Sequence, residues 1–142
     1  MGGTLGGGLG NFLEPLTEIE CQELLRANSI ARVGLSIGAI PAIYPVGYLM
    51  EGDVIHFLTG VGSPLNGAVL NAVVAFQVDD GDRHTWSVLA VGVANEVEEP
   101  ASELRVRLAL QPWTPSSGPL RLVRMQPQSV SGFRINLGNR FS

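Results

Sequence analysis

The chain has 142 residues, of which 45% are apolar and 15% are charged, and its formal net charge is −4. This length and composition indicate one globular domain with its own core and exclude a disordered chain. The acidic balance argues against a nucleic-acid-binding protein, which usually presents a basic face. The single cysteine, Cys21, excludes an internal disulfide framework and favours the reducing cytoplasm.

The first residues are rich in glycine and lack the basic start and the apolar run of a signal peptide. We therefore expect a flexible arm over residues 1–13 and a single domain over residues 14–142. The apolar stretch Ile30–Met50 is interrupted by glycines and prolines, which favours two strands over one membrane-spanning helix. The sequence thus predicts a soluble protein with no membrane partner.

Three helices are predicted. The first follows a capping box, in which the side chains of Thr17 and Glu20 each bond the other residue's backbone N–H. The second is short and runs from Pro64 to about Leu70, and the third starts at Pro100 and ends before Pro112.

The rest of the chain alternates short β-rich runs with turn signals. The predicted strands are Ala31–Ile37, Ala42–Met50, Val54–Thr59, Val73–Val78, Trp86–Val97, Leu120–Gln126 and Val130–Ile135. Most connections are too short for the crossovers of a parallel sheet. Six or seven strands with only short helices predict a mainly β fold, a closed or half-closed antiparallel barrel, because closure removes exposed edges.

The segment "HFLTGVGSPLNGA" reads as a strand end, a glycine turn and a helix start. Its glycines do not have the G-x-G-x-x-G spacing, and no βαβ unit surrounds them, so a Rossmann site is disfavoured. Ser63 suits the N-cap and Pro64 the first helical position, with free N–H groups in the first turn. The segment could bind an anion or simply begin a helix, and local sequence leaves both interpretations open.

Other chemistry-bearing residues form no recognisable constellation. His56 and His84 have no ligand spacing to a partner, so no metal site is predicted. The acidic group Asp79, Asp80 and Asp82 lacks the spacing of a calcium loop and favours a solvated hairpin. No nucleophile–base arrangement is visible, so no catalytic side chain is assigned.

Several segments match one family in the order in which they occur. "LTEIECQELL" corresponds to a leading helix, and "ARVGLSIGAIPAIYPVGYLMEGDVIHFLTG" to three strands, with "PVGY" where P-V-x-Y is expected. "VVAFQVDD", "TWSVLAVGVANEV" and "SVSGFRI" correspond to the later strands. Over roughly residues 14–137 the chain resembles the FMN-binding split-barrel family, the pyridoxamine 5′-phosphate oxidase-like proteins.

The resemblance implies a six- or seven-stranded antiparallel split barrel that forms a homodimer, with two flavin sites built from both chains. Family members oxidise or reduce small molecules with FMN or a deazaflavin, or bind haem or a tetrapyrrole. In flavin proteins the cofactor ring carries the hydride chemistry, and the protein supplies position and electrostatics. The sequence shows no catalytic triad, which agrees with a reaction carried out by the cofactor.

The resemblance also implies where a cofactor would bind. The backbone of Pro45–Tyr48 would meet the polar edge of the ring, two segments of the "HFLTGVGSPLNGA" stretch would surround the phosphate, and a Trp-Ser pair would approach from the partner chain. The implied cofactor-binding residues are Pro45, Val46, Gly47, Tyr48, Phe57, Leu58, Thr59, Ser63, Pro64, Leu65, Trp86, Ser87 and Arg134.

Two of these positions depart from the family pattern. Leu58 replaces an arginine and Pro64 a lysine, the cations that commonly hold the flavin phosphate. Charge-assisted hydrogen bonds contribute about 1.5–3 kcal/mol each, so losing two would weaken binding by about two to four powers of ten. Pro64 also lacks a backbone N–H. Arginines that could supply the charge from the partner chain are Arg83, Arg134 and Arg140.

Three functional hypotheses follow from the sequence. The chain is an FMN- or deazaflavin-dependent oxidoreductase with an atypical phosphate site. Alternatively it binds haem or another apolar ligand, as the apolar replacements Leu58, Pro64 and Phe133 suggest, or it is a cofactor-free dimeric scaffold. On the first hypothesis, Leu58→Arg with Pro64→Lys is expected to raise FMN affinity by at least about tenfold by restoring both charges.

Overall fold

The structure is a computed structural model, and it describes residues 13–83, 85–97, 102–109, 111 and 118–136. Most of the predicted N-terminal arm, His84, Arg140, and residues 100, 101 and 110 of the third predicted helix lie outside the described residues. Leu13, which the sequence assigned to the arm, instead begins a short strand.

The described residues form seven strands and three helices. The strands are β1 (Leu13–Pro15), β2 (Ile30–Ile37), β3 (Ile40–Glu51), β4 (Val54–Gly60), β5 (Val73–Asp79), β6 (Trp86–Glu96) and β7 (Leu120–Ile135). The helices are α1 (Glu18–Ala27), α2 (Pro64–Val69) and α3 (Ser102–Ala109). The predicted strands that correspond to β2–β6 agree with these bounds to within two residues at each end.

The strands close into a ring. The order in the sheet is β1-β7-β4-β3-β2-β5-β6, and β6 also pairs with β7, so that six strands form a barrel to which β1 is added outside β7. Every pairing is antiparallel. The structure therefore confirms the predicted mainly β split barrel.

The last strand differs from its prediction. The sequence predicts two strands around Pro127, whereas β7 is one continuous strand of 16 residues. Val91 is opposite Ser129 and Gly92 is opposite Pro127, so Gln128 is an extra residue in the ladder, a β-bulge. The bulge accommodates the proline and bends the strand, which lets β7 pair with β4, β6 and β1 along its length.

The helix α1 is anchored at its start by the predicted capping box. The Thr17 N–H donates to Glu20 Oε1 at 2.9 Å, and the Glu20 N–H donates to Thr17 Oγ1 at 3.1 Å. Its buried residues are Cys21 and Leu25. A Cβ added at Gly132 would lie 3.0 Å from Cys21 Sγ, so α1 approaches β7 closely where β7 has no side chain.

The main core lies inside the ring and contains three aromatic rings, one pair edge to face and the other tilted. Tyr48 meets Phe76 edge to face with centroids 4.9 Å apart, and Phe57 lies 6.2 Å from Phe76. The Tyr48 hydroxyl donates to the Leu25 carbonyl at 2.7 Å, which links this core to α1. Within the described part of the chain, no helix is long and apolar enough to span a membrane.

Gly92 provides a test of how tightly β6 and β7 approach at the bulge. A Cβ at Gly92 would lie 2.5 Å from the Gln126 carbonyl oxygen, so Gly92→Ala forces backbone to move. We expect Gly92→Ala to lower the free energy of unfolding by about 1–3 kcal/mol and to reduce Tm in a thermal melt. Gly62→Ala, with open space around the added methyl, is the control. Equal Tm values for the two variants would contradict the close approach.

Candidate functional site

The barrel is split between β3 and β4. The pairing of β3 with β4 runs only from Glu51–Val54 to Tyr48–Phe57. The remainder of β3, residues Ile40–Gly47, pairs with β2 alone among the described residues. One edge of this half of β3 therefore faces an opening whose far side is formed by the end of β4 and the start of α2.

Backbone polar groups point into this opening. The Tyr48 N–H bonds the Ser29 carbonyl on the β2 side, and backbone direction alternates along a strand, so odd-numbered residues of β3 face the split. The N–H groups of Ile43 and Gly47 and the carbonyl of Pro45 are thus directed toward the opening. Pro41 and Pro45 fit this arrangement, because a proline in a strand must turn its nitrogen away from the ladder.

Beyond the split, the polar side chains at the end of β4 and the start of α2 form hydrogen bonds within the chain. Thr59 is 2% exposed, and its hydroxyl donates to Asn66 Oδ1 at 2.9 Å. The Asn66 amide donates to the Val61 carbonyl at 3.2 Å, which holds the turn between β4 and α2. Ser63 caps α2 by accepting the Leu65 N–H at 3.1 Å. Asn66 was not singled out from the sequence, since a mid-helix asparagine carries no signal by itself.

Leu58 belongs to a second, smaller apolar cluster outside the ring. It is 4% exposed and packs with Leu108 of α3 and Leu122 of β7. The cluster lies under α3, so Leu58 is covered by the chain itself and offers no surface to a ligand. Pro64 is exposed at the first position of α2. The structure thus separates the two departures: Leu58 is buried by packing, whereas Pro64 is exposed at the start of α2.

The candidate residues Tyr48, Phe57 and Leu65 have buried side chains in the main core. Burial raises the pKa of the Tyr48 hydroxyl, which is already bonded to the Leu25 carbonyl. Val46 is also buried in this core. At the split, these residues can therefore contribute only backbone groups.

The remaining candidates lie elsewhere on the barrel. Trp86 is opposite Arg134 where β6 meets β7, and it packs partly buried against the main core. The Ser87 hydroxyl accepts the Gln77 side-chain N–H at 3.0 Å. Strands β2 and β5 separate β6 from β3 in the sheet order, so this chain does not bring these residues to the split.

Arg134 has an acidic neighbour within its own chain. Its guanidinium lies 3.7 Å from the Glu20 carboxylate of α1. The pKa of Glu20 is lowered, chiefly by the Thr17 backbone N–H and further by the Thr17 hydroxyl and Arg134. Arg134 is therefore already paired with a carboxylate of its own chain, at the start of α1.

Comparison with known proteins places the chain in a family. The family model described as pyridoxamine 5′-phosphate oxidase matches residues 17–134, and the chain belongs to this family. It is 32% identical to Rv0080 of Mycobacterium tuberculosis over 129 residues, covering 85% of this chain and 84% of that protein.

Solved structures share the fold. The FAD binding protein from Mycobacterium smegmatis is 26% identical, with a TM-score of 0.68 over 87% of this chain and 99% of that one. An F420 reductase is 16% identical, with a TM-score of 0.61 over 77% of this chain and 94% of that one, a similarity that shows the fold alone.

Because Leu58 is buried beneath α3, its replacement by a charged residue should affect the stability of the fold. An arginine there would bury a charge in the cluster under α3 instead of presenting it to a phosphate. We expect Leu58→Arg to lower the free energy of unfolding by about 2–5 kcal/mol in a denaturant titration. Pro64→Lys, at an exposed position, should change it by about 0.5 kcal/mol or less. A stable Leu58→Arg variant would show that α3 does not cover this face.

Proposed function

We propose that the protein binds the ring of a flavin-type cofactor, FMN or a deazaflavin, in the split and uses it in an oxidoreductase reaction on a small molecule. The observation that carries this proposal is the open edge of β3. The pyrimidine edge of a flavin ring carries both acceptors and an N–H donor, and the open edge of β3 offers partners of both kinds, the Ile43 and Gly47 N–H groups and the Pro45 carbonyl. The FAD binding protein of Mycobacterium smegmatis adds support.

The residues present fit the ring end of such a cofactor better than its phosphate end. Backbone donors and an acceptor are available along β3, while the side chains beside them are apolar. At the turn before α2 the hydroxyls of Thr59 and Ser63 already have partners within the chain. Pro64 lacks an N–H, so this turn offers a phosphate few donors.

A bound flavin would supply the hydride chemistry, and the chain would position it. The barrel wall, with Val46 and Tyr48 buried behind the edge of β3, holds the backbone donors fixed. Such groups need no reorganisation when a ligand arrives, so they can orient the ring and exclude water from one of its edges. No side chain of the chain is assigned a proton-transfer role.

The proposal includes a homodimer that completes the site. On the outer face of the barrel, Ile43, Gly34, Ala75 and Val91 are successive cross-strand neighbours and form one apolar row. Ile43 is 71% exposed and stands at the open edge itself. Exposed apolar patches of this kind mark interaction sites. A partner on this face would border the split, where its Trp-Ser pair could reach the cofactor. We also propose that the protein is cytoplasmic. The free thiol of Cys21 agrees with this, because the cytoplasm is reducing.

The cofactor proposal is tested by titrating the purified, cofactor-stripped protein with FMN and with the deazaflavin while following ligand fluorescence. We expect one of them to bind with a Kd in the micromolar range or below, about −8 kcal/mol. Ile43→Pro should weaken binding by about two- to tenfold, because it removes one donor from the open edge. Ile43→Val keeps that N–H and is the control. No binding of either cofactor would refute the proposal.

The dimer is tested with two valines of matched exposure. Val73, which is 62% exposed, borders the apolar row, whereas Val106, 61% exposed, lies on α3. We expect light scattering to give a dimer mass at micromolar concentration for the wild type and for Val106→Glu. Val73→Glu should shift the mass toward the monomer, since it places a charge in the interface. A monomeric wild type would refute the dimer.

A further inference from the structure

We propose that the split selects the neutral ring system of its cofactor and makes no charge-assisted contact with the phosphate, so that riboflavin and FMN bind with similar affinity. This inference rests on the proposed flavin function and adds a ligand preference to it. It follows from the hydrogen bonds made by the polar side chains of residues 59–66, which form the end of β4, the turn and the start of α2.

Every polar side chain of that segment in the described structure is used within the fold. The Thr59 hydroxyl donates to Asn66 Oδ1 at 2.9 Å, and the Asn66 amide donates to the Val61 carbonyl at 3.2 Å. Ser63 Oγ accepts the Leu65 N–H at 3.1 Å. To donate to a phosphate, the Thr59 hydroxyl would have to give up its bond to Asn66, and breaking a bond at a buried group offsets what the new bond contributes. Ser63 Oγ only accepts in its bond with Leu65 and keeps its own proton, so the side chains of this turn leave a phosphate one neutral donor and no charge.

Among the described residues, the position where the resemblance implies a cation is buried, and the arginine nearest in register is engaged. Leu58 stands where the resemblance expects an arginine, and it is packed beneath Leu108 of α3. The arginine nearest in register is Arg121, opposite Thr59 on β7. Its Nε lies 3.3 Å from the Glu96 carboxylate, so its charge is already compensated.

The arginines of α3 are directed away from the turn. Arg107 pairs with Glu51 at 3.2 Å, at the far end of β4 from the split. Arg105 donates to the Leu120 carbonyl at 3.4 Å. The Val61 N–H bonds the Pro119 carbonyl, and by the alternation of the ladder the Leu120 carbonyl points away from β4. Arg105 is therefore on the opposite edge of β7 from the turn.

The net charge of −4 gives no long-range attraction for a phosphate dianion. A phosphate beside Pro64 thus remains hydrated at the mouth of the split, while the ring takes the backbone groups of β3. A pair of charge-assisted contacts would favour FMN over riboflavin by about two to four powers of ten. Without them the two affinities should be nearly equal.

The decisive experiment titrates the cofactor-stripped full chain with riboflavin and with FMN, at low and at high salt, by fluorescence quenching. We expect the two Kd values to agree within fivefold and the FMN value to be insensitive to salt. FMN binding more than fivefold tighter than riboflavin would overturn this inference and leave the flavin function intact. Binding of neither ligand up to about 1 mM, about −4 kcal/mol, would also overturn this inference. The proposed function itself is overturned only if the deazaflavin fails to bind as well.

A cation introduced at the turn tests the ligand preference independently, through the ratio of the FMN and riboflavin affinities. Pro64→Lys places a cation and a backbone N–H at the exposed start of α2, and we expect it to favour FMN over riboflavin by at least fivefold. Ile19→Lys makes the same change in net charge at an exposed position on α1 and should leave the ratio near one. An unchanged ratio in Pro64→Lys would show that this turn does not border the phosphate.

Discussion

The missing N–H groups of Pro41 and Pro45 are the constraint on which the shape of this barrel depends. A proline inside a sheet must turn its nitrogen away from the hydrogen-bonded ladder. In β3 both prolines do so on the side away from β2, and that side cannot carry a full ladder. The pairing of β3 with β4 accordingly stops at Tyr48 and Phe57, and the ring stays open beyond them.

Where β3 and β4 separate, both faces at the end of β4 need to be covered, and two helices cover them. Inside the ring, α2 inserts Leu65 and Val69 into the main core. Outside, α3 covers Leu58 with Leu108. The leucine at position 58 is therefore part of how the strand end is buried. Where the resemblance implies an arginine that holds a phosphate, this chain has a side chain that stabilises the fold.

Recognition by backbone groups explains how a cofactor site could persist while its side-chain motif is lost. The donors of Ile43 and Gly47 depend on the course of β3 and not on which side chains it carries. A phosphate, in contrast, requires charges at defined positions, and at the two positions where the resemblance implies cations this chain has Leu58 and Pro64. The ring end and the phosphate end of one site can thus diverge independently, and the preference for a neutral ligand is the expected result.

The structure also divides the implied site between two surfaces. The edge of β3 and the turn before α2 face each other across the split, whereas Trp86 and Arg134 lie where β6 meets β7. Trp86 packs against the core of its own chain and Arg134 contacts Glu20. Only a second copy, seated on the apolar outer face, could unite the two surfaces.

The sequence alone determined the local features, because each depends on residues close together in the chain. The capping box at Thr17, the helix start at Pro64 and most strand bounds follow from spacing and backbone preference. Pro41 and Pro45 are also visible in the sequence, but the register of β3 was needed to show that both face the split. Only the tertiary structure decided that β7 is continuous through a bulge, and that α3 covers Leu58. These outcomes depend on contacts between segments distant in sequence, and no local pattern encodes which surfaces will meet.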